Sequence, residues 1–100
     1  MSTPKPRIDK PESRRIRVLI RHVLLEVWDP IGIKDEPNAQ DEYDGYIGEV
    51  YDLLVSHADD LRLIEYLYWA VHDQMGLDAA SRSDMMTTVE ALKKIPLPPE

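Results

Sequence analysis

The sequence contains no cysteine, and this absence excludes several kinds of chemistry at once. Without thiols the chain forms no disulfide, binds no metal through thiolates and has no cysteine nucleophile. A reducing cytoplasm is compatible with this composition.

Long hydrophobic runs are also missing. No apolar stretch approaches the length of about 18 residues that a membrane span requires. The basic amino terminus is not followed by the uninterrupted apolar region and small-residue cleavage site of a secretory signal. We therefore predict a cytoplasmic protein that has no membrane partner.

The common catalytic and cofactor-binding motifs are absent as well. The chain has no H-E-x-x-H pair, no nucleophile elbow and no glycine-rich phosphate loop. Its three histidines, His22, His57 and His72, fall on three different predicted helices. The sequence therefore predicts a protein that is not an enzyme and that has no catalytic residue, no cofactor and no metal ligand.

Charge is divided sharply along the chain, whose formal net charge is −7. Residues 1–22 carry seven Lys or Arg against two acidic residues, whereas residues 23–100 carry five against seventeen. The acidic body repels nucleic acid and membrane phosphates, and it attracts basic proteins. A basic protein partner is the expectation.

Helical periodicity dominates the sequence, and strand-like alternation is missing. We predict an all-α fold: a compact four-helix domain with a long ordered loop between helices 1 and 2. One hundred residues suffice for a single domain. Its expected parts are a flexible, Pro-rich basic arm over residues 1–12, a helical domain over 13–95 and a Pro-rich tail over 96–100.

Local signals mark where each predicted helix begins and ends. Helix 1 is expected from a Ser13 cap to Trp28, since Pro30 disfavours further helix. Helix 2 is expected over 42–57 behind an Asp41 cap, and helix 3 from an Asp59 cap to Gly76. Helix 4 is expected from Ser81 or Ser83 to Lys94.

Apolar spacing predicts which side chains form the core. The predicted inward residues include Ile16, Leu19, Ile20, Val23, Leu24 and Val27 in helix 1, with Val18 and Leu25 widening the stripe. In the later helices they are Tyr43, Tyr46, Ile47, Val50, Tyr51, Leu54, Leu61, Ile64, Leu67, Tyr68, Val71, Met75, Met85, Met86, Val89 and Leu92. Both tryptophans, Trp28 and Trp69, are also assigned to the core. Gly45 and Gly48 suggest close approach of another backbone.

The acidic loop and the start of helix 2 carry the strongest functional signal. Aromatic rings beside carboxylates combine buried area with electrostatic steering, as interface hot spots do. The predicted interaction surface consists of Asp29, Asp35, Glu36, Asp41, Glu42, Tyr43, Asp44 and Tyr46.

Two motifs carry a family resemblance over roughly residues 16 to 95. The string W-D-P-I-G at 28–32 and the string D-E-Y-D-x-Y at 41–46 resemble a family of short bacterial helical proteins known as a domain of unknown function. The resemblance implies a compact helical fold and brings no catalytic residues. Immunity or interaction proteins are among the roles that it suggests.

The favoured hypothesis is a non-catalytic protein-binding domain, in its most concrete form an acidic immunity or inhibitor protein that covers a basic toxin or nuclease. Two alternatives stay open. One is a small metal-dependent regulator or hydrolase that uses the loop carboxylates. The other is a nucleic-acid accessory protein acting through its basic arm, although the acidic body disfavours it. The oligomeric state is not predicted.

Overall fold

Four α-helices and no strand form the regular structure of residues 9–77 and 81–97, the part of the chain that the computed structural model describes. The helices are α1 (Lys10–Val23), α2 (Ile47–Val55), α3 (Asp60–Trp69) and α4 (Met85–Lys93). π-Helical turns extend α1 over Leu24–Trp28 and α3 over Ala70–Gln74. Short 3-10 helices span Pro37–Ala39, Asp44–Tyr46 and Arg82–Asp84. The predicted all-α four-helix fold is confirmed.

Helix α1 begins earlier than its sequence suggests. Asp9 caps it by accepting a hydrogen bond of 3.0 Å from the backbone N–H of Glu12. Pro11 lies in the first turn, where the missing N–H has no helical partner to lose. The predicted Ser13 cap is therefore wrong, and residues 10–12 belong to the helix. The rest of the predicted arm, residues 1–8, lies outside the described residues, as do residues 98–100 of the predicted tail.

Four other local end signals are confirmed. The helical segment that begins with α1 ends at Trp28, just before the Asp-Pro pair. Asp59 caps α3 by accepting from the backbone N–H of Arg62 at 2.9 Å. Gly76 adopts a left-handed conformation with φ of 68° after the π-helical turn. Ser81 forms a reciprocal capping box ahead of α4.

The predicted start of the second helix is wrong. Residues 41–43 form turns, the 3-10 helix Asp44–Tyr46 follows, and α2 begins only at Ile47. No side chain caps either segment, so Asp41 is not a helix cap. Contacts from Tyr43 and Asp44 to α1 and its following loop, described below, hold this stretch instead.

The core is one continuous cluster drawn from all four helices. Its fully or nearly buried members include Ile16, Ile20, Leu24, Leu25, Trp28, Tyr43, Ile47, Val50, Leu53, Leu54, Leu63, Leu67, Ala70, Val71, Met85, Val89, Leu92 and Ile95. Four residues assigned to the core are instead exposed: Val18, Val27, Leu61 and Trp69. Trp69 retains 41% of its accessible surface because it lies off the phase set by Leu63 and Leu67.

The four helices pack against one another around this core. Helix α1 packs against α2 and α4, and α3 packs against α4 and α2. The radius of gyration is 13.9 Å, close to the value of about 13 Å for a compact chain of this length. No helix in residues 9–77 or 81–97 is both long and apolar enough to cross a membrane.

Gly45 and Gly48 do not mark a close backbone approach. A Cβ atom built on either glycine meets nothing within 4 Å, and both residues are exposed. The expectation of close packing at this pair is wrong, and the two glycines are tolerated surface positions.

Substituting Gly48→Ala is therefore expected to stabilise the protein. Alanine loses less backbone entropy on entering a helix, so the free energy of unfolding should rise by about 0.5–1 kcal/mol. Urea denaturation followed by far-UV circular dichroism measures the change. A decrease in stability would show that Gly48 has a packing role after all.

Candidate interaction surface

Asp29 organises the loop that follows α1. Its backbone is left-handed, with φ of 31°. Its carboxylate accepts hydrogen bonds from the backbone N–H of Ile33 at 2.7 Å and of Lys34 at 3.2 Å. The hydroxyl of Tyr43 donates to the same carboxylate at 2.9 Å and accepts from the backbone N–H of Ile31 at 3.0 Å. We call Asp29, Tyr43 and these loop amides the Asp29 clamp.

The clamp changes the acidity of its two side chains. Burial raises the pKa of Asp29, but the hydrogen bonds from Ile33, Tyr43, Lys34 and Gly32 outweigh burial and leave this pKa below its ordinary value. Burial, together with the neighbouring Asp29 carboxylate, raises the pKa of Tyr43 well above its ordinary value. At neutral pH Asp29 is therefore charged and Tyr43 is a neutral donor.

Two residues of the predicted interaction surface thus hold the fold rather than face a partner. Tyr43 is only 1% exposed. Its ring packs against Trp28 with centroids 5.3 Å apart. Asp29 is half-buried, and its carboxylate already accepts hydrogen bonds from Ile33, Lys34 and Tyr43. Tyr43 is thus a core residue, as its helical spacing predicts, and it does not present its ring on the predicted interaction surface. The contact between Trp28 and Tyr43 links the W-D-P and D-E-Y-D strings.

A third predicted residue, Asp44, forms an internal ion pair. Its carboxylate accepts from both Nε, at 2.8 Å, and Nη2 of Arg21 on α1. This hydrogen-bonded pair raises the pKa of the Arg21 guanidinium, and the charge of Asp41 adds to the effect. Asp44 therefore joins the loop to α1, and the negative charge of Asp41 also stabilises the charged Arg21 guanidinium.

The remaining acids of the predicted surface are available. Asp35, Glu36, Asp41 and Glu42 are all exposed, and none of them forms an ion pair within the described residues. Hydrogen bonds within the loop stabilise its conformation. The Gln40 side-chain amide donates to the backbone carbonyls of Lys34 and Glu36 at 3.1 and 2.9 Å. These four acids form what we call the acidic loop.

A cleft of about 360 Å³ lies beside the acidic loop. It is lined by Ile31, Glu42, Tyr46, Gln74, Met75 and Leu77. Ile31 is 47% exposed, so the cleft presents apolar surface with a carboxylate at its edge. Glu42 and Tyr46 were predicted as surface residues, whereas Ile31, Met75 and Leu77 were missed because the cleft joins segments that are distant in sequence.

Two aromatic side chains of α3 pack against each other. The ring centroids of Tyr66 and Trp69 are 5.7 Å apart, and Trp69 is 41% exposed. Burial raises the pKa of Tyr66 to about 12, and Glu49 and Tyr46 add to this effect. Tyrosine and tryptophan are among the residue types that dominate binding energy at protein interfaces.

The loop acids are not arranged as a metal centre. Across residues 9–77 and 81–97, no group of three or more His, Asp or Glu side chains is placed to hold a metal ion. Chemically, the surface offers carboxylates for charge pairing and aromatic and aliphatic area for burial.

No family model, no curated protein and no solved structure matches this chain significantly. The resemblance drawn from the W-D-P-I-G and D-E-Y-D-x-Y motifs stays a prediction.

Proposed function

We propose that this chain is a cytoplasmic bacterial protein that binds a basic protein partner without catalysing a reaction. Its most concrete form is an immunity or inhibitor protein that covers a basic toxin or nuclease and imitates the charge of the substrate. Membership of the family of short helical proteins of unknown function is part of the same proposal.

The observation that carries the proposal is the position of the cleft. Apolar side chains of Ile31, Met75 and Leu77 line a concave surface together with Glu42, one of the four exposed acids of the acidic loop. An apolar centre with a charged rim is the usual anatomy of a protein interface. A basic partner could insert an apolar or arginine side chain into the cleft while its other cations meet the rim.

Electrostatics supports the choice of a basic partner. Residues 23–100 carry twelve more acidic than basic side chains, and such a field speeds the encounter with a positively charged surface. Because the loop carboxylates are solvent-exposed, their contribution is screened by salt. Binding should therefore weaken as ionic strength rises.

The test compares two variants of equal charge change. Asp41→Asn with Glu42→Gln removes two carboxylates of the acidic loop, and Asp52→Asn with Glu90→Gln removes two exposed carboxylates from α2 and α4. Each protein is used as bait at low salt in a bacterial lysate, and a captured basic protein is then purified and titrated calorimetrically.

The loop variant is expected to bind that partner at least about tenfold more weakly than wild type, a loss of about 1.4 kcal/mol. The control variant is expected to bind within about twofold of wild type, because its charges lie away from the cleft. Equal weakening by both variants, or affinity that does not change with salt, would contradict recognition by the acidic loop.

A further inference from the structure

Helix α1 carries a basic stripe on one of its faces. Lys10, Arg14, Arg17 and Arg21 are separated by four, three and four residues, and all four are exposed. This spacing places them on one side of the helix, over about 16 Å of its length.

Apolar surface lies within this stripe. Val18 is 59% exposed, and it lines a shallow cleft of about 270 Å³ together with Arg14, Arg17, Arg21, Asp44 and Ile47. A second cleft on the same helix, lined by Pro11, Arg14, Arg15, Val18 and Leu19, adjoins it through the shared residues. Arginines around an exposed aliphatic side chain are typical of a protein interface rather than of a solvated helix face.

Internal contacts use only half of the stripe. Arg21 pairs with Asp44, and the guanidinium of Arg17 lies 4.3 Å from the ring centroid of Tyr51. Lys10 and Arg14 form no ion pair within the described residues. Two cations are therefore left to meet an acidic partner from outside.

The acidic loop adjoins the stripe on the same molecule. Asp44, two residues after Glu42 of the acidic loop, accepts a hydrogen bond of 2.8 Å from Nε of Arg21 and so holds the end of the loop against the stripe. A patch that holds both signs of charge side by side is self-complementary under a two-fold axis, since each half meets its opposite on the other copy. Closed two-fold dimers are the commonest oligomers of soluble proteins.

We propose that two copies of this chain associate through this face, with the basic stripe of each copy receiving the acidic loop of the other and Val18 buried near the axis. A polyanion such as nucleic acid fits the stripe less well, because the acidic body repels it and the exposed valine gains nothing from phosphates. The dimer requires no other protein, so it stands or falls separately from the proposed function.

This association would give the acidic loop two competing uses. In the dimer the loop carboxylates are paired with the stripe of the second copy, and a basic partner must displace that copy to reach them. Dimerisation would therefore keep the surface covered until a partner of higher affinity is present.

The experiment exchanges charges between the two halves of the face. One variant carries Lys10→Glu and Arg14→Glu, which makes the stripe acidic. The other carries Asp41→Lys and Glu42→Lys, which makes the loop basic. None of these four side chains belongs to the core, and circular dichroism verifies that both variants are folded. Sedimentation equilibrium then measures the mass of wild type, of each variant and of their equimolar mixture at low salt.

The wild type is expected to dimerise, and each variant alone should dissociate at least about tenfold more readily because like charges then face each other. The mixture should form heterodimers. At one contact the acidic stripe of the first variant meets the basic loop of the second, and at the other contact an unchanged acidic loop meets an unchanged basic stripe. A monomeric wild type at all soluble concentrations would overturn the proposal. So would variants that dimerise as wild type does, or folded variants that fail to associate when mixed. Capture of a single-stranded oligonucleotide by a monomeric wild type, lost in the stripe variant, would assign the stripe to a polyanion instead.

Discussion

Replacing Tyr43 by alanine is expected to lower the free energy of unfolding by about 3–5 kcal/mol, the usual cost of deleting a buried aromatic side chain. The ring is 1% exposed and packs on Trp28. Its hydroxyl joins the loop backbone to Asp29. Urea denaturation followed by circular dichroism measures the loss.

A second substitution at Tyr43 separates the contribution of the ring to stability from that of the hydroxyl. Tyr43→Phe keeps the packing but leaves the Ile31 N–H and one site on the Asp29 carboxylate without partners, so stability should fall by about 1–3 kcal/mol. Tyr51→Phe is the control, because Tyr51 is half-buried beneath the Arg17 guanidinium and its hydroxyl is in no hydrogen bond within the described residues. Similar stability of Tyr43→Phe and wild type would contradict a structural role for the clamp.

Replacing Asp29 by asparagine is expected to cost about 2 kcal/mol, because hydrogen bonds to a charged acceptor are stronger than those to a neutral one. Asparagine tolerates the left-handed backbone that this position adopts, so the substitution tests the carboxylate and not the turn. The asparagine NH₂ group would also face a donor. In one orientation it faces the Tyr43 hydroxyl and the Ile33 N–H, which share Oδ1 in the wild type, and in the other it faces the Lys34 N–H at Oδ2.

The same substitution has a defined pH dependence. The folded-state pKa of Asp29 lies below its ordinary value, so the carboxylate contributes stability that is fully present above the unfolded-state pKa of about 4. That contribution is lost as the pH falls through the lower folded-state pKa. The difference in unfolding free energy between wild type and Asp29→Asn should thus be constant near neutrality and shrink in acid. A difference that does not change with pH would show that the carboxylate charge is not what the clamp uses.

Three helix boundaries proved predictable from local signals, although the local signals at Ser13 and Asp41 predicted caps that the structure does not have. A proline that follows Asp29, the Asp59 cap and the Gly76 terminus each act through their immediate neighbours. The start of α1 also had a local signal, because Asp9 and Glu12 have the spacing of a capping box. Pro11 was interpreted as part of an extended arm, although proline is well tolerated in the first turn of a helix.

Helical spacing placed most core residues correctly, but it also placed Leu61 inward, and Trp69 was assigned to the core by residue type. Trp69 and Leu61 are large and apolar, yet the inward face of α3 is set by Leu63 and Leu67, and Leu63 was not predicted. Exposed apolar side chains are common on folded proteins, so size alone does not place a residue inside.

The candidate surface was predicted only in part, because residues of the same type have different roles in the structure. Asp29 and Asp41 look alike in the sequence, but only the first has Tyr43 and two loop amides within reach. That difference depends on contacts across more than ten residues, which periodicity does not encode. The apolar wall of the cleft, formed by Ile31 and Met75 from separate segments, is equally invisible to local patterns.

The Asp29 clamp should also slow the exchange of loop amide protons with solvent. The backbone of residues 29–34 is irregular, but the amides of Ile31, Gly32, Ile33 and Lys34 all donate hydrogen bonds. The Ile31 amide bonds to the Tyr43 hydroxyl and the other three bond to Asp29, which itself accepts from that hydroxyl. Tyr43 immediately precedes the 3-10 helix Asp44–Tyr46 that leads into α2. This stretch should therefore open together with the first turn of α2 as one cooperative unit, at rates set by that unit and not by loop motion.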